Sequence, residues 1–388
     1  MNAMKTYRNS LLSWGAFATL GFTQVAAATP VRALDSLMPG EETPILPGQG
    51  FDTILRDTMG HCVQLGPFQR QSGQEIPGQI AEFVFKEVRS ESDLREHVAL
   101  SATATLEGYL QYGNPTARLN FVIGSRITTQ NRYLLVKTRV AQEIELASSY
   151  RYPQDVLDML RETNWDEDTF VSQCGNEFVS GRRVGSEFYA LIEFLTLTHE
   201  QTMKFEAAAA GSYNQVRGVG QLEGQLQRFQ GIAETRIHML QLGGTRVFPS
   251  LNNLEEFARS YASMVDIAKG GYVTLEMNAK SYGGVMPLQP RLQFPKTKDR
   301  TEIVTSLAKN REQVADLQRD IAHIRANLAF YNYDRNIHKF DEWLRLLQSF
   351  SQANDEIARD CLRGAWDKCV IPPSHKLPNL QLPTRKTI

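Results

Sequence analysis

The stretch 168–198 constrains the fold more than any other part of the chain. A helix-like acidic approach leads into Cys174-Gly175-Asn176-Glu177-Phe178, then into Gly185-Ser186-Glu187-Phe188 and the run Tyr189-Ala190-Leu191-Ile192-Glu193-Phe194. Aromatic and β-branched side chains bounded by glycine predict strands at 178–184 and 188–197, separated by Gly185-Ser186. A strand pair broken at such a point can kink there, because glycine brings no Cβ to the bend.

From residue 101 the period is two. Ala102, Ala104, Leu106, Gly108, Leu110 and Tyr112 fall on one face, with Thr103, Thr105, Glu107, Tyr109 and Gln111 on the other. Gly113-Asn114-Pro115-Thr116 has turn chemistry, and Leu119, Phe121 and Ile123 resume the alternation against Arg118 and Asn120. The pattern predicts a hairpin whose arms match the ~10 residues of a tilted membrane strand, with an apolar outer and a polar lumen face. It equally suits an ordinary hairpin with one face on a core. Another strand is expected at 133–140.

The segment 207–229 is ambivalent. Val219, Leu222, Leu226 and Phe229 have helical spacing, while Gln221, Glu223, Gln225 and Gln227 alternate with Leu222, Gly224 and Leu226. Gly211, Gly218, Gly220 and Gly224 each weaken a helix by roughly 1 kcal/mol relative to Ala, so helix, strand and Gly/Gln loop all stay open.

Elsewhere the spacing predicts a short helix at 153–160, a strand at 236–242 ending at Gly243-Gly244, and a helix at 254–265 with Phe257, Tyr261 and Val265 on one side. Further strands reach a proline-spaced boundary at 287–295. Beyond it Ile303, Leu307, Asn310, Val314, Leu317, Ile321, Ile324, Leu328 and Tyr331 keep a four-three spacing, and Phe340, Trp343, Leu347, Phe350, Asn354, Ile357 and Cys361 form a second face. This predicts an antiparallel helix pair, with Asn310 a polar break in the seam.

Forty-two basic against 43 acidic residues leave a net charge of −1, so no overall field steers the chain to nucleic acid or anionic lipid. Lys5 and Arg8 precede an apolar run at 11–25 that ends in Ala26-Ala27-Ala28 before Thr29-Pro30, the pattern of an export signal cut near Ala28; an uncleaved anchor is the alternative. A secreted, periplasmic or extracellular protein is expected. The four cysteines, Cys62, Cys174, Cys361 and Cys369, allow three pairings. A local bridge between Cys361 and Cys369 is expected, with the pairing of Cys62 and Cys174 left open. No Cys or His pair has metal-ligand spacing, and there is no Gly-x-Ser-x-Gly elbow or phosphate loop. Glu223 stands where a dinucleotide fingerprint begun at Gly218-x-Gly220 needs glycine, so neither cofactor nor enzyme chemistry is expected.

Over about 102–284 the order of these pieces resembles the membrane-attack-complex/perforin and cholesterol-dependent-cytolysin superfamily. There a Tyr-Gly-Thr-His-Tyr type motif opens a central strand, a Gly-Gly pair follows, and two helical clusters unfurl into transmembrane hairpins. Cys174-Gly175-Asn176-Glu177-Phe178 stands where that motif would, Gly185-Ser186 stands for the glycine pair, and Gly243-Gly244 opens the last section before a helix containing Phe257. Threonine, histidine and the first aromatic are replaced, and the second glycine is Ser186.

The resemblance implies an α+β fold: a bent, twisted antiparallel four-stranded sheet flanked by helical or hairpin segments, plus a C-terminal α-helical hairpin. With the export pattern and the helical spacing already read, the chain is expected to divide into a signal (1–28), a leader (29–50), a perforin-like domain (51–295) and a helical pair with a Cys-containing tail (296–388). The resemblance makes Gly175, Phe178, Gly185, Gly243 and Gly244 hinge or motif positions. It makes 101–125 and 207–234 inserting segments, with Ala102, Ala104, Leu106, Leu110, Leu119, Phe121, Ile123, Leu222 and Leu226 facing lipid. The function implied is a homo-oligomeric pore on target membrane lipids or a surface receptor. The alternative is an extracellular binding or adhesion protein that keeps the fold without insertion. There is no tryptophan-rich undecapeptide, so sterol recognition is not implied.

Overall fold

The computed structural model describes residues 46–387 apart from 55–56, 72–79, 101–105, 107–116, 143, 163–165, 197, 210–220, 245–247, 266–271, 288–291 and 293. All of them belong to one unit, Val31–Ile388. The signal, most of the leader, Ala102, Ala104, Leu110, three of the four glycines of the ambivalent segment and the side chain of Leu222 lie outside the described residues.

In chain order the first strands are β1 (Gly50–Asp52), β2 (Asp57–Thr58), β3 (Gln64–Leu65), β4 (Phe68–Gln71) and β5 (Ile80–Val88). Helices α1 (Glu91–His97) and α2 (Ala117–Ser125) precede β6 (Arg132–Ala141), β7 (Ile144–Ala147) and β8 (Tyr150–Arg151). Next come α3 (Gln154–Arg161), α4 (Glu167–Cys174), β9 (Glu177–Leu195), α5 (His199–Ala209), α6 (Gln221–Gln230) and β10 (Glu234–Leu242). The chain continues through α7 (Leu254–Met264), β11 (Val273–Ser281), α8 (Pro295–Ala326) and α9 (Phe340–Leu362).

Strand β9 is the axis of the molecule. At 19 residues it is far longer than an ordinary strand and reaches ~60 Å. Its second half lies between β6 and β10, and β5 pairs with β6, so the order β5-β6-β9-β10 forms a four-stranded antiparallel layer. Its first half pairs with β11 on one side and with β7 and β1 on the other. Gly185 opposes both Ala141 of β6 and Val273 of β11, whereas β10 ends with Leu242 opposite Glu187. Partners therefore change on both sides of β9 at Gly185-Ser186. Register shifts in β11, between Thr274 and Glu276 and between Asn278 and Ala279, add local twist below that point.

Because successive strand residues point to opposite faces, the layer has two cores. Leu134, Val136, Phe188, Ala190, Ile192 and Phe194 pack under α5, α6 and α7 on one face. Tyr133, Leu135, Tyr189 and Leu191 pack with Leu94, Leu119 and Val122 of α1 and α2 on the other.

Local chemistry fixes the helix ends. The Ser90 side chain accepts from the Asp93 N–H to cap α1, and Asp166 accepts from the Thr169 N–H at 2.8 Å to cap α4. Helix α4 stops at Gly175, whose φ of 72° favours glycine. Glu167 of α4 accepts from the N–H (2.8 Å) and hydroxyl (2.9 Å) of Thr297, filling the N-terminus of α8, where Pro295 is already preorganised.

Helices α8 and α9 form the expected pair, with Leu307, Val314, Ile321 and Ile324 against Leu347, Phe350 and Ala358. Asn310 donates to Asn354 at 3.3 Å, and Asn354 donates to the Leu307 carbonyl at 3.0 Å. The polar break thus sets the register of the pair. Disulfides join Cys62 to Cys174 and Cys361 to Cys369.

Two expectations require correction. The strands at 178–184 and 188–197 are one uninterrupted strand, because both sides of Gly185 find partners. The second arm of the expected hairpin is helix α2, and Leu106 is also helical. The same string satisfies a helical face: Arg118, Leu119, Phe121, Val122 and Ser125 are buried, a three-four spacing that the period-two reading of Leu119, Phe121 and Ile123 obscured.

Candidate functional site

Two long connections leave the same end of the four-stranded layer. Residues 89–131 join β5 to β6, and residues 196–233 join β9 to β10; each links neighbours that are antiparallel. Among their described residues the first carries α1 and α2 and the second α5 and α6, and these two helix pairs pack on opposite faces of the sheet.

The second connection is held by aromatic packing. Phe194 of β9 meets Phe205 of α5 at 5.1 Å and Phe229 of α6 at 5.2 Å, while Phe205 and Phe229 stack at 4.4 Å. Leu226 is buried beside them. Each of these side chains contributes ~1.5–3 kcal/mol by burial, enough to offset the weak helix propensity of a Gly/Gln-rich segment.

The first connection is held by charge as well as packing. Arg118 of α2, fully buried, donates to Glu187 of β9 at 2.6 Å. Glu187 also accepts from the Tyr189 hydroxyl at 2.7 Å and lies 3.9 Å from Lys137 and 3.5 Å from Arg139. Burial works to raise the Glu187 carboxyl, but the charges of Arg118, Lys137 and Arg139 together hold it below the usual range. Burial, then the neighbouring carboxylate, pushes the Tyr189 hydroxyl well above its ordinary value.

Helix α8 grips both ends of the same connection. Near its start, Glu91 pairs with Arg319 at 2.7 Å and Arg95 with Glu312 at 2.9 Å. Near its end, the Thr129 N–H and hydroxyl donate to Asp320 at 2.9 and 2.5 Å. Burial pushes the Glu312 carboxyl up to about 7 against the pull of Arg95, and that of Asp316 up to about 6 against Arg319. Between α2, β9, β10 and α8 lies a cavity of about 730 Å³ lined by Arg126, Asn131, Glu193, His238 and His323, among others.

The hinge and motif positions all fall on or beside β9. Gly185 sits where a Cβ would come within 2.2 Å of the Val140 carbonyl oxygen, so only glycine allows β6 and β9 to approach there. Ser186, in the second position of the pair, is buried and donates to the Leu242 carbonyl at 2.7 Å, with its Oγ 2.5 Å from the Tyr261 hydroxyl. It thereby ties the end of β10 and helix α7 to the point where β9 changes partners. Gly243 and Gly244 turn the chain out of β10 with φ of 72° and 71°. Gly175 bridges to Phe51, and Phe178 is buried against Tyr150 and Tyr282.

Of the lipid-facing candidates among the described residues, Leu106, Leu119, Phe121 and Leu226 are buried and Ile123 partly so. They belong to the two connections, one on each face. The buried Arg118–Glu187 pair and the grip of α8 had no local signal in the sequence, since their partners are far apart along the chain. Among the described residues no three His, Cys, Asp or Glu side chains gather as a metal site, and no helix is long and apolar enough to cross a membrane.

The fold and the site together define an α+β protein whose central antiparallel sheet carries helices of two long connections on opposite faces. No protein-family model and no curated protein matches the chain. Among solved structures it is similar to stonustoxin, with 9% identity and a TM-score of 0.40 over 83% of this chain and 41% of that one. It is similar to GNIP1Aa from Chromobacterium piscinae, with 12% identity and a TM-score of 0.33 over 66% of this chain and 48% of that one. It is also similar to a cell invasion protein with a MAC/perforin domain from Bacteroides thetaiotaomicron, with 9% identity and a TM-score of 0.33 over 72% of this chain and 62% of that one. The chain spans less than two thirds of the length of each.

Proposed function

We propose that this chain is a secreted pore-forming protein of the perforin and cytolysin kind. Helices α1, α2, α5 and α6 unfold, and connections 89–131 and 196–233 become β-hairpins that extend β5-β6 and β9-β10 into a target membrane. The observation that carries this reading is topological: both connections join adjacent antiparallel strands at one end of one continuous layer. Straightening them lengthens all four strands without re-pairing the sheet. Each is long enough for two arms of the ~10 residues that a tilted membrane strand takes.

Hydrocarbon tolerates β-structure only as a closed barrel, so the reading requires several copies paired edge to edge, with β5 and β10 as the edges. Leaving the resting state exposes Phe205, Leu226, Phe229, Leu119 and Phe121, and burial in lipid restores what their departure from the core loses. The alternation through Ala102, Ala104, Leu106 and Leu110, resumed at Leu119, Phe121 and Ile123, supports a lipid face, with Arg118 and Asn120 turned to the lumen. Two disulfides support an oxidising, extracellular destination.

The test is dye release from liposomes of several lipid compositions, with electron microscopy of the same samples. Leakage accompanied by ring-shaped assemblies is expected. Intact liposomes across all compositions, with the protein bound to their surface or to a partner, overturn insertion and leave a binding protein of the same fold.

A further inference from the structure

Beyond α9 the chain runs back along the helix pair as an extended arm, residues 370–387. His375 stacks on Phe350 at 4.3 Å, and Leu377, Leu380 and Leu382 pack on the core of the pair. The arm then bonds to the α8–α9 turn: the Asn332 N–H donates to the Thr384 carbonyl at 2.8 Å, and the Lys386 N–H to the Phe330 carbonyl at 2.9 Å. This places Arg385 opposite Tyr331.

The Arg385 guanidinium ends in a socket built from both connections. It donates to the Gln130 carbonyl at the end of the first. It also donates to Thr196 Oγ1 at 3.4 Å, the Thr198 carbonyl at 3.3 Å and Thr202 Oγ1 at 2.5 Å, all at the start of the second. Its Nε donates to the Tyr331 hydroxyl at 3.3 Å, which itself donates to Gln130 Oε1 at 3.1 Å. Among the described residues its hydrogen-bond partners are all neutral oxygens. A planar fork of five donors suits such a fan of acceptors, and a lysine ammonium does not.

We infer that Gln130, Thr196, Thr198, Thr202 and Tyr331 form a guanidinium-binding site, that Arg385 is its occupant in the resting chain, and that this occupancy latches both connections at once. The inference rests on the pore-forming reading for its purpose. The site lies where β6 begins and β9 ends, so neither connection straightens until the guanidinium leaves. Release of the arm thereby couples the two hairpins: one event frees both.

The test is hydrogen exchange on the full chain in solution, comparing the wild type with Arg385→Ala and Arg385→Lys. Exchange about 10-fold faster at both 126–131 and 196–205 is expected in Arg385→Ala, with Arg385→Lys close to it and protection in β5, β6 and β9 unchanged. Guanidinium chloride, far below denaturing concentrations, restores protection at both segments of Arg385→Ala but not of Arg385→Ala/Thr202→Val. Faster exchange confined to 370–387, or at one connection only, overturns the latch, as does a lack of rescue. If Arg385→Ala does not fold, Thr202→Val alone gives the same comparison. Liposome leakage is scored separately: a wild type that leaks as fast as Arg385→Ala overturns the latch, whereas failure of every variant to leak overturns the pore and leaves exchange to decide the socket.

Discussion

Arg118 and Glu187 meet at 2.6 Å with neither side chain open to solvent, joining a helix of the first connection to the central strand. Removing Arg118 takes the nearest of three cations from a buried carboxylate and leaves Lys137 and Arg139 at longer range, so Arg118→Met is expected to cost about 3 kcal/mol in urea unfolding, the low end for a broken buried pair. Arg118→Met/Glu187→Gln should recover part of that loss. A cost below about 1 kcal/mol for the single variant would mean that the pair is spectator to the packing of α2. Because Glu187 titrates below its ordinary range, its contribution is present above about pH 4.5 and is lost as the pH falls further.

Two groups on α8 respond to pH with opposite signs. Burial, aided by the charge of Arg385, pushes His323 down to about 4, so the unfolded chain takes up its proton first and stability falls as the pH drops from 6.5 towards 4. Glu312, pushed up to about 7, binds its proton earlier in the fold than out of it, so its contribution grows as the pH drops from 7 towards 4.5. Melting temperatures of His323→Gln and Glu312→Gln, each taken relative to wild type at pH 7.5 and 5, separate the two. The His323→Gln variant should gain on the wild type in acid and Glu312→Gln should lose; reversal of either sign contradicts the assignment.

The point where β9 changes partners is expected to be intolerant. Gly185→Ala drives a Cβ to 2.2 Å from a backbone oxygen of β6, which strand pairing cannot easily yield, and a loss of about 3 kcal/mol is expected in thermal unfolding. Ser186→Ala removes the hydroxyl that ties Leu242 and Tyr261, and should lose about 1–2 kcal/mol. Near-wild-type stability of Gly185→Ala would mean that β6 and β9 are free to separate there.

The disulfides differ in the length of chain they close. Cys62 and Cys174 are 112 residues apart and Cys361 and Cys369 only 8, so by loop entropy the first stabilises by about 2 kcal/mol more. Unfolding of Cys62→Ala/Cys174→Ala against Cys361→Ala/Cys369→Ala reads this directly. Equal losses would place the effect in packing instead of chain constraint.

Strands β6 and β10 were legible in the sequence as short apolar runs, although each packs against both cores, as were α7 and the helix pair with its Asn310 break. Helix α2 was not, because Ala117–Ser125 fits both periods and only the presence of Tyr189, Leu191 and Glu187 across from it decides for the helix. Strand β5 and helix α1 went unread, although Phe83 and Phe85 lie on a short apolar run. The seat of Arg385 depends on contacts 183 to 255 residues away, and no local pattern encodes it. Local period reports which faces can be buried; it does not report which partner arrives.

The central claim is that the two connections exchange helix for strand on a membrane. All four cysteines are bonded, so a single cysteine placed in turn at each position of Ala117–Ser125 is the sole thiol for a polarity-sensitive dye. On liposomes the emission is expected to alternate, with Leu119, Phe121 and Ile123 in lipid and Arg118, Asn120 and Val122 in water. Emission that keeps the three-four pattern of the resting helix, or does not change on adding liposomes, would contradict it.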